Sequence, residues 1–159
     1  MRIFLLFLFI SLASCRSVSG YGDGDLEDRP TSFARSANLK LLKNSKEDEI
    51  RVWVTFLSSV RGTVITKNGI ANYNNRNSGR LQLVKGDTSA PNTKLMQYLP
   101  TLSKLSKSTY LCDTGIHGGA FYFIEGIYNG EYFFTMASWP ESCTSPEFDA
   151  LNEFLRAAK

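Results

Sequence analysis

The sequence is poor in the residues that build metal centres and many catalytic sites. It has one histidine, His117, and three cysteines, none of which form a Cys-x-x-Cys pair. A transition-metal site needs several such ligands close together, and no glycine-rich phosphate loop occurs either. We therefore predict no metal ion and no cofactor.

Charge of one sign is also scarce. The chain has 18 Lys and Arg against 15 Asp and Glu, and the basic residues are scattered rather than gathered in a stripe. Nucleic-acid binding depends on such a basic footprint, so we predict no nucleic-acid partner. After the first dozen residues, no apolar run is long enough to span a bilayer.

Aromatic residues, by contrast, are abundant. They make up 13% of the 159 residues, a length that allows one domain able to bury most of its apolar surface. Phenylalanine and tyrosine dominate the set, and both favour strands. The composition therefore indicates a single domain with a β-containing core.

The amino terminus has the pattern of an export signal. Arg2 provides a positive start, and residues 3–10 are uninterrupted apolar side chains. Such a run is too short for a membrane-spanning helix and is typical of the core of a secretory signal. We predict that residues 1–14 form a signal peptide.

The segment Leu12-Ala13-Ser14-Cys15 that ends this signal resembles the lipobox of bacterial lipoproteins. The resemblance covers about the first fifteen positions, and all four lipobox positions fit. It implies a thioether-linked diacylglycerol on Cys15, cleavage after Ser14 and acylation, for example by palmitate, of the new amino terminus. In that family's enterobacterial pattern, Arg16 favours the outer membrane, facing the periplasm. The alternative is an ordinary cleaved signal and a secreted protein without lipid.

The two remaining cysteines, Cys112 and Cys143, form an even pair for an oxidising compartment. We predict a disulfide between them, with free thiols as the alternative. Residues 15–30 carry Gly, Asp and Ser with few apolar side chains, which predicts a lipidated cysteine followed by a flexible stalk. Residues 31–159 then form the domain, and Leu39, Leu41 and Leu42 are its first predicted core contacts.

Alternating apolar residues predict strands. Residues 49–57 alternate, with Ile50, Val52 and Val54 on one side and Trp53 on the other. Two Asn-Gly pairs, one at 68–69 and one at 129–130, predict hairpin turns. Residues 80–85 predict a short strand that Gly86-Asp87 ends.

Two helical segments are predicted after these strands. Leucines at 95, 99, 102 and 105 form a helical stripe that Pro100 interrupts, which favours two short helices over one straight helix. Ser145-Pro146-Glu147 is typical of the start of a terminal helix. We predict an α+β fold: an antiparallel β-sheet of four to six strands with a central and a C-terminal helix packed on it. This order of elements, with the strand around Arg51-Val52-Trp53, is similar to that of small bacterial α+β domains, a resemblance that implies no activity.

A catalytic role would have to use His117 with Asp113 or Glu125, as in a small envelope hydrolase. Near neighbours in sequence seldom supply such a constellation, because its members must converge in space. We therefore predict no catalytic residue and interpret the segment around His117 as a surface loop. If Glu125 is buried without a partner, its pKa should be raised.

Aromatic side chains on both faces of the last hairpin point instead to binding. We predict Tyr122, Tyr128, Phe133 and Trp139 as a binding face, because exposed aromatic clusters are enriched at protein interfaces. Coverage of these side chains by other parts of the domain is the alternative. The function predicted is that of a lipid-anchored cell-envelope protein that binds another envelope protein without catalysis. A structural envelope component is a further alternative.

Overall fold

In the computed structural model, residues 23–56, 59–75, 80–87, 93–105, 109–111, 120–138 and 146–158 are described. The helices are α1 (Asp23–Ser36), α2 (Thr93–Met96), α3 (Leu99–Lys104) and α4 (Pro146–Ala157), with a 3-10 helix at Leu42–Asn44. The strands are β1 (Glu49–Phe56), β2 (Ser59–Thr66), β3 (Gly69–Asn74), β4 (Gln82–Asp87), β5 (Thr109–Leu111), β6 (Phe121–Tyr128) and β7 (Glu131–Ser138). No helix within these ranges is long and apolar enough to cross a bilayer.

The strands form one sheet in the order β4-β3-β2-β1-β6-β7-β5. Six of them pair antiparallel, while the short strand β5 runs parallel to β7 at one edge. The predicted α+β class is therefore confirmed. The parallel strand β5 was not predicted, and it is three residues long.

Both hairpins form, and their turns differ in detail. At the second, Asn129 (φ 52°) and Gly130 (φ 80°) are the two turn residues, as the Asn-Gly pair predicts. At the first, Thr66 pairs with Gly69, so the turn comes one residue earlier than the Asn-Gly pair indicates. Strand β4 is also displaced from its prediction, because its pairing with β3 continues to Asp87 opposite Ile70.

One face of the sheet, which we call the α4 face, is covered by α3 and α4. The core there includes Ile50, Val52, Ile124, Phe133, Leu99, Leu102, Leu151 and Phe154. Pro100 lies in the first turn of α3, where a proline is tolerated, and the stripe of leucines is divided into two short helices as predicted. Tyr98, at the start of α3, connects this helix to α4. The centres of the Tyr98 and Phe154 rings are 5.6 Å apart in an edge-on arrangement, and the Tyr98 hydroxyl donates to Glu153 Oε1.

The opposite face, the α1 face, is covered by α1 and the segment after it. Its core includes Trp53, Phe123, Phe134, Met136, Ala34 and Ala37. The ring of Phe33 lies 5.7 Å from those of both Trp53 and Phe123. The predicted contacts of Leu39, Leu41 and Leu42 are confirmed, with Leu42 fully buried and the other two partly buried.

Helix α1 corrects the prediction of a flexible stalk over residues 15–30. The chain is helical from Asp23, and Pro30 is fully buried inside the helix. The helix ends where Asn38 adopts a left-handed conformation (φ 56°), with Leu39 N–H bonded to Ala34 O at 2.8 Å and Asn38 N–H to Arg35 O at 3.0 Å. This is a Schellman cap. The apolar contacts of Phe33 and Ala34 hold the helix in place despite its polar composition.

Candidate binding site

The predicted site residues fall into three groups. Cys15, Cys112, Cys143, Trp139, His117 and Asp113 lie outside the described residues, so their roles stay predictions. Tyr122 and Tyr128 are partly buried and pack against the core of the α4 face. Phe133 is only 2% exposed and belongs to the core that contains residues of α3 and α4. The structure therefore removes Phe133 from the predicted binding face.

Glu125 is buried on the α1 face in a polar cluster with Arg51, Trp53 and Tyr132. Trp53 Nε1–H donates to Glu125 Oε1 at 3.0 Å, and the Tyr132 hydroxyl donates to Oε2 at 3.3 Å. Arg51 Nη1 lies 3.9 Å from Glu125 Oε1, while its Nε–H donates to Glu49 Oε1 at 2.6 Å. The cluster joins three neighbouring strands, because Arg51 and Trp53 lie in β1, Glu125 in β6 and Tyr132 in β7.

This cluster is not accessible to a substrate. Glu125 is 4% exposed and Arg51 is 3% exposed, and the Lys43 ammonium lies 5.2 Å from the centre of the Tyr132 ring. Among the described residues, Arg51 Nη1 is buried without a hydrogen-bond partner. Arg51 lies at ion-pair distance from Glu125, and a catalytic role for Glu125 gains no support from this burial.

Burial raises the pKa of Glu125, opposed by its hydrogen bond from Trp53 and the charge of Arg51. A carboxyl whose pKa is higher in the folded state binds its proton more tightly there than in the unfolded chain. The free energy of unfolding should therefore fall as pH rises from the ordinary glutamate pKa to the raised one.

We expect this fall to be absent in Glu125→Gln, since the amide does not titrate. Urea unfolding measures the free energy of unfolding at a series of pH values, from about 4, near the ordinary glutamate pKa, to about 8. The exposed Glu131→Gln is the matched control and should keep the wild-type profile. Identical pH profiles for wild type and Glu125→Gln would contradict the prediction.

The described structure has an open cleft on the α4 face. It has a volume of about 560 Å³ and lies where the C-terminal end of α4 meets strands β1 to β4. Apolar side chains from Val52, Val54, Val84, Tyr122, Leu155 and Ala158 line it together with the polar residues Arg61, Thr63, Asn72 and Asn74. A smaller pocket of about 190 Å³ adjoins it, with Val54 and Arg61 shared between the two.

The sheet register explains why this cleft stays open. Val52, Thr63, Asn72 and Lys85 form one row across β1 to β4, and Val54, Arg61, Asn74 and Gln82 form the next. Each row changes from apolar to polar after β1. A helix layer gains little from covering polar side chains that water already solvates, and α3 accordingly packs over β6 and β7.

Arg61 is the one cation among the cleft's lining residues, and none of those residues is acidic. It is exposed, and no carboxylate of the described chain lies within ion-pair distance of it. Thr63 Oγ1 donates to Asn72 Oδ1 at 3.0 Å, which orders the polar wall beside it. The cleft thus combines apolar side chains, the amides of Asn72 and Asn74, and the cation of Arg61. This combination fits a ligand with both apolar and acidic groups.

The described part of the chain contains no group of three or more His, Cys, Asp and Glu residues that could hold a metal ion. No protein-family model matches the chain, and no curated protein or solved structure matches it either. Sequence reasoning missed the cleft, although the change from apolar to polar along its rows is a signal once the register is known.

Proposed function

We propose that this chain is an exported, lipid-anchored cell-envelope protein whose domain binds another envelope protein through the cleft. Export and anchoring rest on the apolar run before Cys15 and the resemblance of Leu12-Ala13-Ser14-Cys15 to a lipobox. Binding rests on one observation above the others: an open, partly apolar cleft with Arg61 at its wall and no described carboxylate paired to it. Protein interfaces combine apolar contact with a small number of such polar anchors.

The anchor is tested by replacing the cysteine that would carry it. We expect Cys15→Ser to incorporate no labelled palmitate and to move from the membrane fraction to the soluble fraction, because two or more acyl chains are needed for durable anchoring. Cys143→Ser is the matched control and should stay in the membrane fraction. An intact mass of the wild-type chain without added acyl groups would end the lipoprotein proposal and leave an ordinary secreted protein.

Binding through the cleft is tested by photo-crosslinking in the host envelope. A photoreactive amino acid is placed at Asn72, an exposed residue of the cleft, and for comparison at Lys104, an exposed residue of α3. We expect one adduct of defined mass from Asn72 and not from Lys104. The same adducts from both positions, or none from Asn72, would contradict a partner in the cleft.

Arg61 should determine the strength of this interaction. We expect Arg61→Glu to reduce the yield of the Asn72 adduct about five-fold or more, since an attractive exposed charge pair worth up to about 1 kcal/mol becomes repulsive. Arg61→Lys keeps the charge and is the control, which should retain most of the adduct. Equal yields from Arg61→Glu and wild type would show that the partner carries no acid at this point.

A further inference from the structure

Strand β4 forms an open edge of the sheet. Its one strand neighbour is β3, and the opposite edge of β4 pairs with no described strand. Leu83 and Val84 on β4 are 59% and 67% exposed, the highest values among the exposed large hydrophobic residues of the described chain. An edge strand presents a row of backbone N–H and C=O groups to any extended segment that approaches it. Apolar side chains on such an edge add contact area for that segment.

The two faces beside this edge differ in chemistry. Lys85 pairs with Asn72 and therefore lies on the α4 face, in the row that borders the cleft, with Arg61 in the next row. Leu83 pairs with Tyr73, whose side chain packs against the core of the α1 face. A segment added to β4 would thus meet positive charge on one face and an apolar side chain on the other.

We propose that the envelope partner binds by adding an extended segment to the open edge of β4. The segment carries acidic side chains on the α4 face, beside Lys85, and apolar side chains on the α1 face, beside Leu83. The proposal rests on the proposed function, because it specifies how the partner of the cleft is held. Main-chain hydrogen bonds supply affinity in this mode of recognition, and alternate side chains supply specificity.

A second copy of the chain is a poorer occupant of this edge. The register shift between Asn72 and Tyr73 leaves Val84 as an extra residue, which bends the strand. Lysines and bulges on edge strands discourage pairing between copies, whereas an acidic segment is attracted by Lys85.

The test uses the full chain in detergent micelles and two labelled octapeptides, one of alternating valine and glutamate and one of alternating valine and lysine. Fluorescence anisotropy measures affinity, and hydrogen exchange measures protection of residues 82–86. We expect the glutamate peptide to bind at least about ten-fold more tightly than the lysine peptide, as opposite and like charges facing Lys85 require. Saturation with the glutamate peptide should slow exchange of the β4 amides.

Charge reversal at two exposed lysines completes the test. Lys85→Glu should weaken binding of the glutamate peptide about five-fold, while Lys104→Glu on α3, with the same change in net charge, should not. Equal affinity for the two peptides, or unchanged exchange at β4, overturns the proposal. Protection of β4 that depends on protein concentration without peptide also overturns it, in favour of a second copy. If any of these results is obtained and the Asn72 adduct still forms, binding through the cleft stands while strand addition is wrong.

Discussion

Replacing Trp53 with alanine should lower the free energy of unfolding by about 3–5 kcal/mol, the usual cost of removing a buried aromatic ring. Trp53 is fully buried, and its ring packs beside Phe33 from the helix that covers the α1 face. Its indole N–H also donates to Glu125 at 3.0 Å. The substitution therefore opens a cavity and removes a hydrogen bond from a buried carboxylate at the same time.

Chemical denaturation measures this effect, and two further variants separate its causes. Trp53→Phe keeps one six-membered ring and removes the five-membered ring with its N–H. It should cost about 1–3 kcal/mol, because a buried acceptor loses its donor and a smaller cavity is left. Phe56→Ala, in the same strand but 46% exposed, should cost about 1 kcal/mol or less, because little apolar area is lost. A Trp53→Ala loss no larger than that of Phe56→Ala would show that the α1 face is not packed as described.

Adding one methyl group at Gly126 should destabilise the fold by about 1–3 kcal/mol, as overpacking does. A Cβ there would lie 2.3 Å from Phe133 Cζ and 2.8 Å from the backbone oxygen of Glu49. Phe133 is the cross-strand partner of Gly126, and its ring occupies the space that the glycine leaves. The ring could rotate away, but the backbone oxygen in β1 cannot move without disturbing the sheet.

The matched control for Gly126→Ala is Gly86→Ala in β4, where a Cβ meets nothing within 4 Å. The free energy of unfolding of that variant should lie within about 0.5 kcal/mol of the wild-type value. A slight increase is expected, since alanine restricts the unfolded chain. Urea midpoints of the two variants give the comparison. Equal midpoints would mean that β6 and β1 are not as close as the structure shows. The same arrangement recurs on the other face, where the Trp53 ring lies over Gly62 of β2.

Sequence patterns predicted much of the sheet because the information was local. Alternation assigned Val52 and Trp53 to opposite faces, and both faces of β1 proved to be covered. The Asn129-Gly130 turn set the register that places Glu125 on the face of Trp53. Pro100 indicated the break between α2 and α3 for the steric reason that proline disfavours a helix interior.

The errors came where distant parts of the chain decide the outcome. Polar composition and Pro30 indicated a flexible stalk, yet the chain is helical from Asp23. The helix is stabilised because Phe33 packs against Trp53 and Phe123 in the core of the sheet. Phe133 was predicted at a surface, and it is buried under α3 and α4. No local pattern states which element will cover a given aromatic residue.

The sequence by itself determined the α+β class, the second hairpin and which side chains of β1 share a face, because backbone geometry and side-chain periodicity act over a few residues. Tertiary structure alone decided which helix covers which face, how Glu125 is held by Arg51 and Trp53, and where the sheet stays uncovered. The cleft and the open edge of β4 belong to this second class. They arise because burial depends on neighbours that are far apart along the chain and meet only when the sheet assembles.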